Sequence, residues 1–139
     1  MNSSSEHIME LGMDGYCCSQ IMVILGLEMQ GKTNPDLVQA VAGLCNGLFS
    51  GETCGIISGA ACMLSLFDRE AAAGYLIPEL VAWFKDAYMP LYGSMRCQDI
   101  IGDNLGNRLS RCPEIMSATY EKSLEILAEY GYIDKACAL

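Results

Sequence analysis

The stretch from Gly43 to Leu66, GLCNGLFSGETCGIISGAACMLSL, restricts how this chain can fold more than any other. It has a glycine at every fourth position from Gly43 to Gly59, and Glu52 is its one charged residue. Each glycine costs backbone entropy on folding. Five in one run therefore indicate that the backbone comes close to something: another helix, a cofactor or a site of sulfur chemistry.

The second half of this stretch has the pattern of a helix that begins at Cys54. Thr53 is a good N-cap residue. A cysteine in the first turn lies at the positive end of the helix dipole, which favours the thiolate. In the alternative interpretation, Gly55 and Gly59 form a groove for close packing against another helix, and Cys54 and Cys62 are small apolar fillers. Both interpretations stay open at this point.

Start and stop signals around apolar positions at helical spacing predict an all-α chain, a compact bundle of about six or seven helices in one domain over residues 1–139. No run has the alternation of a β-strand. Predicted helices run from the Ser3–Glu6 capping box to about Met13, over Cys17–Met29, from Pro35 behind its N-cap Asn34, and over Cys54–Phe67. A short helical turn is predicted at Arg69–Tyr75, followed by a helix from Pro78 to about Tyr88 that Pro90 and Gly93 end. A short helix through Cys97 behind Ser94, a polar loop over Asp103–Arg108 and a last helix from Pro113 to Gly131 complete the prediction. Predicted core residues include Leu25, Val41, Leu64, Trp83, Phe84 and Leu124.

Composition excludes several classes of function. The chain has 139 residues, a formal net charge of −9, 52% apolar and 18% charged residues. The charge argues against binding nucleic acid or anionic membrane surfaces, which require clustered Lys and Arg. No uncharged run is long enough for a membrane span, and the N-terminus lacks the features of a signal peptide, so we expect a cytoplasmic protein. The high apolar content predicts a homodimer or larger homo-oligomer.

The cysteines are the strongest indication of chemistry. In a cytoplasmic chain, eight cysteines favour metal-binding, catalytic or simply buried roles over structural disulfides. Four of them fall at the start of a predicted helix: Cys18, Cys54, Cys97 and Cys112. If these helix starts converge, their dipoles and free N–H groups surround anionic sulfurs, which suits thiolates or an all-thiolate metal–sulfur centre.

The remaining cysteines are predicted to lie outside such a site. Cys45, Cys62 and Cys137 do not fall at a helix start. Cys17 and Cys18 are adjacent, and neighbours on a helix point about 100° apart, so one of them at most faces a shared site. We assign Cys18 to it and expect Cys17 to point away. The chain has no C-x-x-C, which argues against a thioredoxin-like pair and a zinc knuckle.

Four segments resemble the redox-active family known by its C_GCAxxG_C_C cysteine pattern: GYCCSQIMVILG, ETCGIISGAACMLSL, YGSMRCQDIIG and RCPEIM. The run from Cys54 to Gly59 is similar to the Cys-Gly-Ala-x-x-Gly box of that family, with Ile56 in place of alanine. Cys18, Cys97 and Cys112 match its other three cysteines. The resemblance covers Gly15 to about Leu127.

This resemblance implies redox activity and a redox partner protein. A related domain is similar to part of split-Soret cytochrome c, which couples haems to an iron–sulfur centre, and this implies a [2Fe–2S] cluster on Cys18, Cys54, Cys97 and Cys112. The haem part has no counterpart in this chain. Ile56 places a larger side chain beside Cys54, which would shift solvent access to the site.

Four functions follow, in this order of preference. The first is electron transfer through a [2Fe–2S] cluster on the four cysteines. The second is metal-free thiol–disulfide redox chemistry by two of them. The third is a closed structural zinc site with four cysteine ligands. The fourth is a helical oligomer with inert, buried cysteines. The first two both require converging, ionisable thiols, so the sequence does not separate them.

Overall fold

Seven α-helices of five residues or more form the computed structural model, which describes residues 3–135. Within that range there is no β-strand, and Thr53 and Arg96 form an isolated antiparallel bridge. The all-α prediction is therefore confirmed. In chain order the helices are α1 Ser3–Met13, α2 Cys18–Met29, α3 Pro35–Val41, α4 Gly55–Phe67, α5 Ile77–Tyr92, α6 Cys97–Ile101 and α7 Asn107–Glu129.

Short turns connect these helices in two places. Between α3 and α4, the chain passes through a 3₁₀ turn, Ala42–Leu44, and an irregular turn, Gly47–Gly51. Between α4 and α5, Arg69–Ala71 and Ala72–Leu76 lead directly into α5. The predicted short helical turn before Pro78 is thus present and joins the helix that follows it.

Local chemistry explains the start of α3. The side-chain oxygen of Asn34 accepts a hydrogen bond from the N–H of Leu37 at 3.1 Å, and Pro35 occupies the first helical position, as predicted. The start of α4 differs by one residue, because Cys54 is the N-cap and Thr53 lies before it.

Two predicted proline boundaries are wrong. The last helix begins at Asn107, six residues before Pro113, and α5 continues through Pro90 to Tyr92. A proline inside a helix removes one N–H bond and restricts the preceding turn, yet both helices contain one. Leu109, whose carbonyl loses its helical partner at Pro113, is 84% exposed, so water can reach it. Gly93 then ends α5 with a φ of 84°, which glycine adopts readily.

Helices α2 and α4 pack unusually close to each other. A Cβ on Gly59 would lie 2.6 Å from the Cα of Ser19, and a Cβ on Gly26 would lie 2.5 Å from the Cγ of Met63. Real Cβ atoms do not approach other atoms so closely. The contact at Gly59 therefore requires glycine, because backbone atoms of Ser19 cannot move aside, whereas at Gly26 the Met63 side chain would have to shift. The interpretation of Gly59 as part of a packing groove is therefore correct.

The core forms mainly where α2 and α4 meet the other helices. Five of the six predicted core residues are buried: Leu25, Val41, Leu64, Phe84 and Leu124. Trp83 is partly buried at the edge of the core. Its ring packs edge-on against Tyr88, with the centroids 5.9 Å apart. Within residues 3–135, no helix combines the length and apolarity needed to cross a membrane.

A substitution at Gly59 tests the close packing. Alanine has a higher helix propensity than glycine by about 1 kcal/mol. At Gly59, however, its Cβ would collide with the backbone of Ser19, and overpacking typically costs about 1–3 kcal/mol. We expect Gly59→Ala to lower the free energy of unfolding, measured by urea denaturation. Gly12 lies in α1 with open space around it, so Gly12→Ala should be neutral or stabilising. A Gly59→Ala protein as stable as the native chain would contradict the packing.

A second prediction concerns His7, to which the sequence assigned no role. Its Nε2 lies 2.8 Å from the Glu28 carboxylate, and Glu10 lies 3.7 Å from the other ring nitrogen. The hydrogen bond to Glu28 raises the pKa of His7 above its ordinary 6.5. The pair therefore stabilises the fold fully below about pH 6.5, and this contribution is lost as the pH rises through the raised value.

The measurement is the difference in free energy of unfolding between the native chain and His7→Gln as a function of pH. We expect this difference to be larger at about pH 5.5 than at about pH 9. In a Glu28→Gln background the pH dependence should shrink. A difference that grows with pH would contradict the prediction.

Candidate thiol site

The four cysteines selected from the sequence come from four different helices. Cys18 is the first residue of α2, Cys54 is the N-cap of α4, and Cys97 is the first residue of α6. Cys112 departs from the prediction, because it lies inside α7, in its second turn. Three of the four thus have the predicted helix-start position, and the fourth is carried by the body of the longest helix.

A short backbone bridge holds the segments of Cys54 and Cys97 side by side. Around the Thr53–Arg96 bridge, the N–H of Cys54 donates to the carbonyl oxygen of Met95 at 2.9 Å, and the N–H of Cys97 donates to the carbonyl oxygen of Glu52 at 2.6 Å. Exposed Arg96 also forms an ion pair with Glu52, with 3.4 Å between Nη2 and Oε1. The starts of α4 and α6 are therefore neighbours.

Gly55 brings Cys18 against the start of α4. A Cβ on Gly55 would lie 2.7 Å from the sulfur of Cys18 and 2.9 Å from the carbonyl oxygen of Leu44. The glycine after Cys54 thus leaves room for the Cys18 sulfur, and Gly59, one turn later, leaves room for Ser19. Gly55 and Gly59 are therefore both required for steric reasons, because each contacts the start of α2.

Electrostatic interactions connect the four thiols. Cys54 interacts with Cys18 and with Cys112. Cys18 also interacts with Cys97, and Cys112 interacts with both Cys18 and Cys97. In every pair, one thiolate raises the pKa of the other, as like charges do at short range. We refer to Cys18, Cys54, Cys97 and Cys112 as the four-thiol group.

Burial governs the ionisation of this group. It raises the pKa of all four thiols, to about 12 for Cys54 and to about 11 for Cys112. The backbone N–H groups of Ile56 and Ile57, in the first turn of α4, act in the opposite direction on Cys54. At neutral pH the thiols are therefore protonated, and positive charge brought to the group would favour thiolates.

Arg108 is the cation that acts on this group. It lowers the pKa of Cys97 and of Cys112, against the larger effect of burial. Its guanidinium donates a hydrogen bond to the side-chain oxygen of Asn46, and the backbone N–H of Asn46 lowers the pKa of Cys18. The sequence analysis missed both residues. Asn46 lies in the glycine-rich stretch, but no spacing rule links it to Arg108, which was predicted to be in a loop.

An open pocket of about 610 Å³ reaches the group at Cys97. Asn46, Phe49 and Arg108 are among the residues that line it. Cys97 is half-buried, whereas Cys54 is 5% exposed. A reactant in solution therefore meets Cys97 first, and Cys54 lies deepest.

The other described cysteines have different surroundings. Cys62 packs with Leu27, Val41 and neighbouring apolar residues in a small separate cluster. Cys17 and Cys45 form a disulfide with a Cα–Cα distance of 6.1 Å, which the sequence analysis did not foresee. Their separation of 28 residues follows no motif, so the sequence offered no signal for this pair. Cys137 lies outside the described residues.

The described part of the chain has no preformed site for a single metal ion. Among residues 3–135, no three His, Cys, Asp or Glu side chains are arranged so that they could hold one ion together. A structural zinc site requires four ligands around one ion, so this arrangement gives the zinc prediction no support. A [2Fe–2S] cluster differs, because its two irons share four protein ligands, two on each iron. The donor set of the four-thiol group has the chemistry of that cluster.

Comparison with known proteins now places the chain in a class. A family model described as "Putative redox-active protein (C_GCAxxG_C_C)" matches residues 16–126. This match covers most of the chain, and it includes all members of the four-thiol group. The chain therefore belongs to the C_GCAxxG_C_C redox-active family. Searches of curated proteins and of solved structures gave no significant match.

Proposed function

We propose that this chain is an electron-transfer protein in which Cys18, Cys54, Cys97 and Cys112 hold a [2Fe–2S] cluster. Two geometric observations support the proposal: backbone pairing sets the segments of Cys54 and Cys97 side by side, and the Cys18 sulfur lies against Gly55. The mutual effects on thiol pKa extend this neighbourhood to Cys112. Membership of a redox-active family supports it independently. When bound, such a cluster accepts and returns an electron at a potential set by its surroundings.

The residues around the group suit a thiolate-ligated centre. Metal coordination deprotonates thiols, so thiols that are protonated in the metal-free protein can still become ligands. The N–H groups of Ile56 and Ile57 and the guanidinium of Arg108 favour the ionised sulfurs. Burial of Cys54 limits contact with water, and the half-buried Cys97 provides the side through which an electron would pass to a redox partner protein.

Metal-free thiol–disulfide chemistry is the second candidate. It is favoured by the Cys17–Cys45 disulfide, since Cys45 lies beside the group: its Cα would be 3.4 Å from a Cβ on Gly55. The attacking species in such chemistry is a thiolate. Burial holds the pKa of Cys54 and Cys112 well above neutrality, so these two thiols are weak nucleophiles. We therefore place this candidate second.

Three wider expectations belong to the same proposal. They are a likeness of the cysteine region to the cluster-bearing part of split-Soret cytochrome c, a cytoplasmic location, and assembly as a homo-oligomer. Several large apolar side chains support the last of these, because they are exposed in the single chain: Met13, Leu48, Phe49, Leu91, Leu105 and Leu109.

The proposal predicts iron and acid-labile sulfide after anaerobic purification. Native protein should contain both in equal amounts and show the visible absorption of a [2Fe–2S] centre. Cys54→Ser should lower the iron content by about tenfold or more, because it removes a ligand. Cys62→Ser is the matched control, since Cys62 lies in a separate apolar cluster, and it should retain the native content.

Three other results would overturn the cluster assignment. Zinc without sulfide would indicate a structural metal site. Metal-free protein in which members of the four-thiol group cycle between thiol and disulfide would favour the second candidate. Native iron content in folded Cys54→Ser protein would show that the iron is held elsewhere.

A further inference from the structure

The Cys17–Cys45 disulfide joins two segments that lead to the four-thiol group, the start of α2 and the glycine-rich stretch. Cys17 is the residue before α2, and its backbone N–H donates to the side-chain oxygen of Gln20 at 3.1 Å. Cys45 follows the 3₁₀ turn and is fully buried, whereas Cys17 is half-buried. The bond therefore ties the start of α2 to the glycine-rich stretch, and Cys17 is the more exposed of its two residues.

The chain that follows Cys45 has an uncommon backbone conformation. Asn46, Gly47, Leu48 and Phe49 all have positive φ angles, between 53° and 60°. Asn and Gly tolerate this left-handed region, but Leu and Phe rarely adopt it. Leu48 and Phe49 are also largely exposed, at 54% and 67%. Burial of their side chains therefore does not hold this turn, and contacts at its ends must hold it.

The contacts that hold the turn are a disulfide and hydrogen bonds, including one that the Ser50 hydroxyl donates to the carbonyl oxygen of Leu48 at 3.1 Å. Before the turn is Cys45, fixed by its disulfide to Cys17. Within it, Asn46 accepts a hydrogen bond from Arg108. After it, the N–H of Glu52 donates to the carbonyl oxygen of Gly47 at 2.9 Å. We call residues 46–49 the left-handed turn.

We propose that Cys17 and Cys45 form a second redox site, a reversible disulfide that a dithiol reductant opens at Cys17, and that its opening releases the left-handed turn beside the four-thiol group. Neither cysteine belongs to the four-thiol group. The inference does not depend on whether that group holds a cluster.

The reaction is a thiol–disulfide exchange between the protein and a dithiol. One thiolate of the reductant attacks the sulfur of Cys17, a mixed disulfide forms, and Cys45 leaves and takes up a proton. The second thiol of the reductant then attacks the reductant sulfur that is bonded to Cys17. The reductant closes to a disulfide, and Cys17 is released as a thiol. In total, two electrons and two protons pass from the dithiol to the protein, and the reductant becomes a disulfide.

Release of the left-handed turn would change the surroundings of the four-thiol group, because Asn46 belongs to the turn and acts on the group. The side-chain oxygen of Asn46 accepts a hydrogen bond from Arg108, which lowers the pKa of Cys97 and Cys112, and the backbone N–H of Asn46 lowers the pKa of Cys18. Asn46 follows Cys45 directly in the chain. Through it, opening of the disulfide would alter the pKa of Cys18, Cys97 and Cys112.

The test uses the full chain, incubated with reduced and oxidised dithiothreitol in varying ratios. Thiols are then alkylated and assigned by mass spectrometry, and amide hydrogen exchange is measured on the same samples. We expect Cys17 and Cys45 to become free together, as one two-electron couple. On reduction, amides of residues 46–51 should exchange at least about tenfold faster, while those in the middle of α2 and α4 stay within about twofold.

Two variants complete the experiment. The double variant Cys17→Ser with Cys45→Ser should show fast exchange at residues 46–51 without any reductant, and dithiothreitol should not change it. Cys62→Ser should respond as the native chain does. The proposal is overturned if the two cysteines never pair, or if they pair with other cysteines. It is equally overturned if reduction leaves residues 46–51 unchanged or accelerates all helices alike, as a purely structural disulfide would.

Discussion

The close approach of helix α4 to the start of α2 is the contact on which the rest of the structure depends. Gly59 leaves room for the backbone of Ser19, and Gly55 leaves room for the sulfur of Cys18. A side chain at either position would push the helices apart, because the neighbouring atoms are backbone or a buried sulfur. The same contact therefore closes the core and brings Cys18 next to Cys54.

The thiol site is built outward from this contact. Backbone pairing around Thr53 and Arg96 places the segment of Cys97 beside that of Cys54. Helix α7, which packs against α4, carries Cys112. Because the sulfurs come from four helices, each is positioned by a different part of the fold, and burial of the whole group follows from packing. Gly55 and Gly59 thus serve both the packing of α4 on α2 and the position of Cys18 beside the start of α4.

The sequence predicted the features that local chemistry determines. Asn34 with Pro35, and Gly93 after α5, are start and stop signals that depend on adjacent residues, and the structure confirms them. The start of α7 was misplaced, because Pro113 resembles a first helical residue and nothing nearby shows that Asn107 already begins the helix. The Cys17–Cys45 disulfide and the pairing of Asn46 with Arg108 join residues far apart in the chain. Only the folded arrangement brings such residues together, so no local pattern contains them.

The proposed [2Fe–2S] centre requires Cys18, Cys54, Cys97 and Cys112 to bind the same two irons. The most direct measurement is a crystal structure of anaerobically prepared protein, with anomalous diffraction recorded at the iron absorption edge. We expect two adjacent iron peaks, each bound by two of these four sulfurs, with Cys62 remote from both. Iron bound by other residues, or four well-ordered sulfurs on separate sides of the molecule with no shared centre, would contradict it.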